Sequence, residues 1–423
     1  MKKILVSGII IMLIAMLTSI AGAQSKTNEK PIIKLGVSQV NITNPAPTVM
    51  AGYAGRTEPS TGVHDSLYAS ALYFTGEKIR SMIISVDLIG FTTAFVDELK
   101  GDISKATGIP AENLMIAAVH NHGAPSPRTS DVDKQNTVPV YVKFLKERVL
   151  SLAVAATRNP VPVKMGIGKG SCNMNINRRA LIANGSIWLG RNPDGPCDHD
   201  LVVAKFDDMN NKTIAVLINW PCHGTVSGQD NTLITGDWPG AAARYIRKSV
   251  GNNAVVAVTI GASGDINPIY GPGKNFTEIE AVGFHVGRET DKILSSMSTY
   301  PLTDVETKNA VLSFPGKKPG KDDFPQASYE SAPDNEIRLT VFKVGELVLS
   351  GVSGELVNEI GKDIKNRSPF SQTIVVTHCN GSSGYICTDK MFSEGGYEVK
   401  VTKFMPGVEK RLADKYIDLI HQF

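Results

Sequence analysis

Ser81 to His122 reads SMIISVDLIGFTTAFVDELKGDISKATGIPAENLMIAAVHNH, and three pieces of secondary structure are legible in it. Ser81 to Val86 is a short apolar run, the pattern of a strand covered on both faces. Thr92 to Thr107 follows with helical period, and Leu114 to Val119 is a second apolar run that gives out at His120-Asn121-His122. Strand, helix and strand in that order form the repeating unit of an α/β domain. Working outward, Pro31 to Val40 and Ala69 to Phe74 read as strands, the second turning at Gly76-Glu77 into Ser81 to Val86. Val138 to Thr157 has helical period with its charges on one face. The expected fold class is therefore α/β, a mixed sheet with helices packed around it and functional groups gathered at strand ends.

Farther along, Leu201 to Phe206 and Thr213 to Asn219 form a hairpin around Asp207 to Asn211. Gly236-Asp237-Trp238-Pro239-Gly240 opens a helix through Val250, with Pro239 in the first turn, where its missing N–H costs nothing. Ala254 to Ile260 is a strand that runs into Gly261-Ala262-Ser263-Gly264-Asp265-Ile266-Asn267-Pro268, a crowd of turn formers at a strand end. Glu336 to Val344 and Leu347 to Val352 make a second hairpin, which delivers Ser353-Gly354-Glu355 to a helical stretch ending near Lys365. Ile374 to His378 is the last strand, and Val408 to His421 is a closing amphipathic helix. Phe314 to Asn335, rich in Pro, Gly, Lys and Asp, reads as a long excursion and is expected to form a lid.

The chain has 423 residues, 44 Lys+Arg against 41 Asp+Glu, and 42% hydrophobic residues, enough apolar surface to fold and no basic surplus for nucleic acid. Met1-Lys2-Lys3, the apolar run Ile4 to Ile20 and Ala21-Gly22-Ala23 have the three parts of a secretory signal. Residues 1–23 are thus expected to be a signal peptide and 24–423 one catalytic domain, secreted or periplasmic, with no stable membrane span in the mature chain. Five cysteines, Cys172, Cys197, Cys222, Cys379 and Cys387, cannot all pair, and no C-x-x-C occurs. One or two bridges and a buried thiol are expected.

His120 and His122 stand two apart at a strand end, a spacing that points both imidazoles to one face, and they read either as metal ligands or as ordinary turn histidines. His223, in Pro221-Cys222-His223-Gly224-Thr225, follows the apolar run Ala215 to Trp220 in the same way. Glu355 after its strand can complete a zinc site or begin a helix. Asp87, Asp237 and Asp265 can each be a cap, a partner of a histidine or a catalytic acid. Asp198-His199-Asp200 reads as a loop.

Taken in order, His120-Asn121-His122, Asn175-Ile176-Asn177-Arg178, Asn219-Trp220-Pro221-Cys222-His223, Gly264-Asp265-Ile266-Asn267-Pro268, Ser353-Gly354-Glu355 and Gly384-Tyr385 with the later Tyr397-Glu398 resemble the neutral/alkaline non-lysosomal ceramidase family. Gly36 to Thr43 and Gly62 to Ala69 look like that family too, so the likeness runs over about residues 32 to 422. The resemblance implies a catalytic zinc held by His120, His223, Glu355 and Tyr385. It places His122 beside the zinc-bound water as general base, with Arg178 and Tyr397 steadying the substrate carbonyl. Asp265 and Asn267 complete the candidate catalytic set. Asn267 stands where the family has a serine; an amide cannot be a nucleophile as a hydroxyl can, though it still donates a hydrogen bond. The family also carries a C-terminal β-sandwich domain, which is not expected here. The implied activity is that of a secreted zinc-dependent hydrolase cleaving the amide of an N-acylated lipid such as ceramide. The alternatives are a metal hydrolase of the same fold acting on an N-acyl sugar, glycoside or ester, and a binding protein without catalysis. A groove beside His122 crowded with Asp87, Asp237 and Asp265 would count against a lipid.

Overall fold

Met82, Ile84 and Val86 point into one apolar cluster and Ile83 into another, and the same division recurs in Leu114, Ile116 and Ala118 against Met115 and Ala117. Alternation of period two with both sides buried requires a covering layer on each face of the sheet. A computed structural model, which describes residues 31–423 apart from 45, 129–132, 135 and 252, supplies those layers. The signal-peptide reading falls outside the described residues.

The larger sheet has nine strands. From edge to edge it runs Val255–Ile260, Thr213–Trp220, Asp200–Asp208, Val161–Ser171, Lys34–Asn41, Tyr68–Thr75, Arg80–Val86 and Leu114–Ala118, with Tyr300–Pro301 paired to Val161–Ser171. It is mixed: Arg80–Val86 pairs parallel with Leu114–Ala118 and Thr213–Trp220 parallel with Val255–Ile260, and the other pairs are antiparallel. A four-stranded sheet, Val305–Lys317, Ser331–Val344, Leu347–Val352 and Gln372–Val376, packs on it, with Leu72, Phe74, Ile83, Met115 and Leu217 meeting Phe342, Leu349 and Ile374 between the two. Helices Thr93–Thr107 and Thr137–Ala156 cover one part of the larger sheet, and Asp237–Val250 and Phe276–Ser295 another. Asn358–Arg367 and Val408–Ile420 cover the smaller sheet's outer face. Helix, sheet, sheet and helix thus stack as four layers. The helix at Thr93 begins where its sequence says it should: the Thr92 hydroxyl accepts the Phe95 N–H, and Gly108, at φ 71, ends it.

Two readings of the sequence are corrected. The two ends of Phe314 to Asn335 are strand, which continues to Lys317 and resumes at Ser331, with a register shift between Phe314 and Gly316. Only residues 318–330 form the turn, and it is no lid. Gly320 N–H donates to Lys400 O, Gly396 N–H donates to Asp323 O, and Lys400 pairs with Asp323, so the turn braces the segment that carries Tyr397 and Glu398. The five cysteines are all free thiols. Cys379 and Cys387 lie in different core clusters from each other and from Cys172 and Cys222, which keeps most pairs apart. The helix Phe276–Ser295, which is not among the elements expected from the sequence, contains Gly283 and Gly287. They are packing positions: a Cβ would come within 2.3 Å of Ala241 Cβ or of Tyr245 Cδ1 on the neighbouring helix. Among the described residues no helix is long and apolar enough to cross a membrane.

Candidate metal centre

Four strand ends meet at one place. Leu114–Ala118 stops two residues before His120, which takes the left-handed conformation, φ 52, that a side chain adopts only at some cost. The two-residue spacing therefore brings His120 and His122 together through a turn rather than through strand alternation. Asn121 bridges to Gly224, and His122 N–H donates to Gly224 O at 3.0 Å, which ties this turn to the end of Thr213–Trp220 and to His223. Glu355 arrives on the short strand Glu355–Leu356, whose parallel partner is Tyr385–Ile386; Glu355 and Tyr385 are direct neighbours in that ladder. His378, just beyond Gln372–Val376, is also left-handed, φ 53.

His120 Nε2 lies 3.4 Å and His223 Nε2 3.5 Å from Glu355 Oε2, and His122 Nε2 is 3.3 Å from His120 Nε2. The Nε2 atoms of His120 and His223 are unprotonated acceptors, since each Nδ1 faces a carbonyl that can only accept: Ile89 O at 2.8 Å and Ile266 O at 3.1 Å. Glu355 Oε2 is buried without a hydrogen-bond partner. Three acceptors packed around one point repel one another and favour a cation between them. Their separations suit one, because ligands about 2.0–2.1 Å from a tetrahedral ion stand about 3.4 Å apart. Imidazoles whose Nδ1–H groups are held by carbonyls are also the usual outer support of a metal site. The residues present therefore fit a divalent ion. His120, His122 and His223 form one group with ligand atoms within 4.8 Å, and His120, Glu355 and His378 another.

Burial, reinforced by His120 and His223, holds His122 well below the usual histidine range. Burial and then Arg178 push His223 down to about 4. Burial opposes ionisation of Glu355, but the electrostatic influence of the imidazoles around it, His120 first, holds it well below the carboxylate range.

Arg178 closes the other side. Its Nη2 donates to Tyr385 Oη at 3.0 Å, its Nη1 faces His223 Nε2 at 3.1 Å and Asn267 Oδ1 at 3.4 Å, and Tyr397 packs against Tyr385 with ring centroids 5.7 Å apart. Arg178 is held by Glu398, Nε to Oε1 at 2.8 Å. Asp265 stands outside the cavity: its carboxylate accepts from Asn358 N–H at 2.7 Å and Asn177 Nδ2 at 3.1 Å, while its carbonyl accepts the Arg178 N–H. Burial pushes Asp265 up to about 6. It positions the chain around Arg178 and touches nothing that would react.

Asp237 is likewise a buried cap, accepting from the N–H groups of Val226, Ser227 and Trp238, and Asp87 accepts from Tyr68 N–H. Asp198 and Asp200 pair with Lys365, and His199 meets Asn175. Sequence reasoning passed over His378, whose ring stacks on His120 at 3.8 Å and 10° and whose Nε2 is buried without a partner. The available signal was its place at the end of an apolar strand, the same place that singled out His120 and His223. Parallel rings so close cannot both point in plane at one ion, so His378 is a wall of the site rather than a further ligand of the same ion.

A cavity of about 430 Å³ opens on this cluster. Val49, Met50, Ala51 and Ile89 give it an apolar side, while His120, His122, Arg128, Glu355, Tyr385 and Tyr397 give it polar groups; Asp87, Asp237 and Asp265 are not among its walls. Gly52, at φ 103, admits the His122 ring, since a Cβ there would lie 2.4 Å from His122 Nδ1.

Fold and site together define a mixed α/β protein with a buried His–Glu centre at its strand ends. Residues 33–280 match the model of the neutral/alkaline non-lysosomal ceramidase N-terminal region, and the chain belongs to that family. It is 26% identical over 293 residues to a neutral ceramidase of Drosophila pseudoobscura pseudoobscura, and 26% identical over 265 residues to one of Drosophila melanogaster. Those alignments cover 63% and 56% of this chain but only 40% and 36% of the relatives. The fold is similar to a solved structure described as a ceramidase complexed with C2, with TM-score 0.78, 17% identity, and 92% of this chain and 75% of that one covered. The neutral ceramidase of Pseudomonas aeruginosa gives TM-score 0.77 at 18% identity, covering 92% and 74%.

Proposed function

We propose that the chain is a zinc-dependent hydrolase that cleaves the amide bond of an N-acylated lipid such as ceramide. The observation that carries this reading is the convergence of His120 Nε2, His223 Nε2 and Glu355 Oε2 on one point at the floor of the cavity. His120, His223 and Glu355 would hold the ion, with Tyr385, Glu355's ladder neighbour, as the fourth ligand. When bound, zinc supplies a Lewis acid that polarises a carbonyl and brings the pKa of water down to about 7.

The chain's own residues account for the rest. His122, neutral and with Nδ1 unpartnered, takes the proton of the attacking water and returns it to the leaving amine. The Arg178 guanidinium and the Tyr397 hydroxyl stabilise the charge that develops on the carbonyl oxygen. Glu398 keeps Arg178 in place, and Asn267 adds a hydrogen-bonding amide beside it. The side formed by Val49, Met50, Ala51 and Ile89 accepts the acyl chain. No carboxylate from Asp87, Asp237 or Asp265 stands in the way, so the condition that would count against a lipid is not met.

The direct test is to incubate the zinc-loaded chain with an N-acyl sphingosine and measure free fatty acid and free amine by mass spectrometry. Equimolar release that stops on chelation and returns with zinc is expected. Release from an acyl ester or a glycoside but from no amide would move the reading to another bond.

A further inference from the structure

The cavity wall contains a cation with nothing to answer it. Arg128 lines the cavity and is half-buried, yet among the described residues its guanidinium makes no hydrogen bond and no ion pair; only its backbone N–H is engaged, by Ser126 Oγ at 3.1 Å. The cavity's other non-catalytic arginine is different, for Arg56 donates to the carbonyls of Ala51, His122 and Asn231. Among the described residues the only carboxylate in the wall is Glu355, which is committed to the histidines. A second group without a partner stands beside Arg128. Neither ring nitrogen of His378 is hydrogen-bonded among the described residues, and the residue is 7% exposed.

The two groups face the same gap. A Cβ added at Gly90 would lie 3.8 Å from Arg128 Nη2 and 3.8 Å from His378 Nδ1, with no other atom of the described residues within 4 Å of it. This corner adjoins the metal centre: Ile89 orients His120 through its carbonyl, and the His378 ring stacks on that of His120 at 3.8 Å. A guanidinium is a planar fork suited to oxyanions, and one partly withdrawn from water gains most from an anionic partner. A neutral N-acyl amine would leave it unpaired.

We propose that the amine half of the substrate carries an oxyanion, a carboxylate or a phosphate, which Arg128 binds beside His378. This rests on the hydrolase reading above but departs from its ceramide example, whose amine half carries no oxyanion. The anionic group has two possible sources, an amino acid as the acylated amine or a phosphorylated amino-alcohol headgroup.

The test uses three probes with one acyl chain: N-dodecanoylglycine, N-dodecanoyl-phosphoethanolamine and the neutral N-dodecanoylethanolamine. Affinity is measured by titration calorimetry, and turnover separately, for the zinc-loaded parent, Arg128→Gln and Arg128→Lys. At least one anionic probe should bind the parent about tenfold more tightly than the neutral one, Arg128→Gln should erase most of that ratio, and Arg128→Lys should keep part of it. Preference for the glycine probe assigns an amino acid and preference for the phosphate probe a phosphorylated headgroup. Because the ratio is taken within each variant, a general loss of stability does not imitate the effect. Equal affinity for all three probes, or a preference that survives in Arg128→Gln, overturns the proposal. Anion preference without hydrolysis of any probe would sink the hydrolase reading alone, and equal hydrolysis and binding of all three would sink this one alone.

Discussion

His122→Gln is expected to lower kcat for amide hydrolysis by about 100- to 10,000-fold while leaving the metal content of the purified chain unchanged. His122 is near enough to His120, Nε2 to Nε2 3.3 Å, to be counted as a ligand on distance alone. Its surroundings differ from those of the two histidines assigned to the metal. His120 and His223 each have Nδ1 fixed by a carbonyl, whereas His122 Nδ1 is buried with no partner, and its ring packs edge-on to Tyr53 at 5.1 Å and against Gly52. A ligand is ordinarily oriented through its other nitrogen; a group that exchanges protons gains from having that nitrogen free. Steady-state rates and elemental analysis on the same preparation separate the two roles. If metal and rate fall together, His122 is a ligand and the base must be sought elsewhere.

Glu398→Ala is expected to cost about 3–5 kcal/mol of folding stability, the cost of leaving buried charges unpaired. Arg178 and Arg179 are consecutive on the strand Asn175–Leu181, and both hold Glu398, with Nε to Oε1 and Nη1 to Oε2 each 2.8 Å. All three side chains are buried, so solvent screens little of the interaction. Removing the carboxylate leaves Arg178 without a counter-charge, with only the neutral partners Tyr385, His223 and Asn267, and leaves Arg179 only Glu394 and the Gly395 carbonyl. Denaturant unfolding measures the loss; a change below about 1 kcal/mol would mean that water or relaxation replaces the carboxylate.

The same pair gives a pH dependence. Burial opposes ionisation of Glu398, but Arg178 and Arg179 hold its pKa below the ordinary glutamate value. A depressed acid contributes stability that is fully present above the unfolded-state pKa and is lost as pH falls through the folded-state value. The gap between the parent and Glu398→Ala should therefore be widest at neutral pH and shrink on acidification.

How much of this could be read beforehand depended on whether the cause was local. Strands covered on both faces, such as Arg80–Val86 and Leu114–Ala118, are continuous apolar runs and were legible, as was the helix capped by Thr92. His120, His122 and His223 were legible as residues at strand ends, and the family resemblance gathered them with Glu355 and Tyr385. What brings them together was not: the Asn121–Gly224 bridge and the pairing of Glu355 with Tyr385 join segments far apart in the chain and leave no local pattern. The helix Phe276–Ser295 was not read at all, and the reason for its Gly283 and Gly287 lies in a neighbouring helix. The hairpin Val305–Lys317 with Ser331–Val344 misled because an exposed two-stranded extension needs no apolar alternation. His378 was missed because one histidine at one strand end means little until its neighbours are known.

The metal itself can be measured most directly, by elemental mass spectrometry on chain purified without chelator or affinity histidines, beside His223→Ala prepared in the same way. His223 supplies an unprotonated Nε2 to the cluster, and its loss leaves Glu355 Oε2 facing a gap. About one zinc per chain in the parent and much less in His223→Ala is the expected result. No metal in either protein after zinc has been added back would contradict the metal centre and every catalytic role assigned around it.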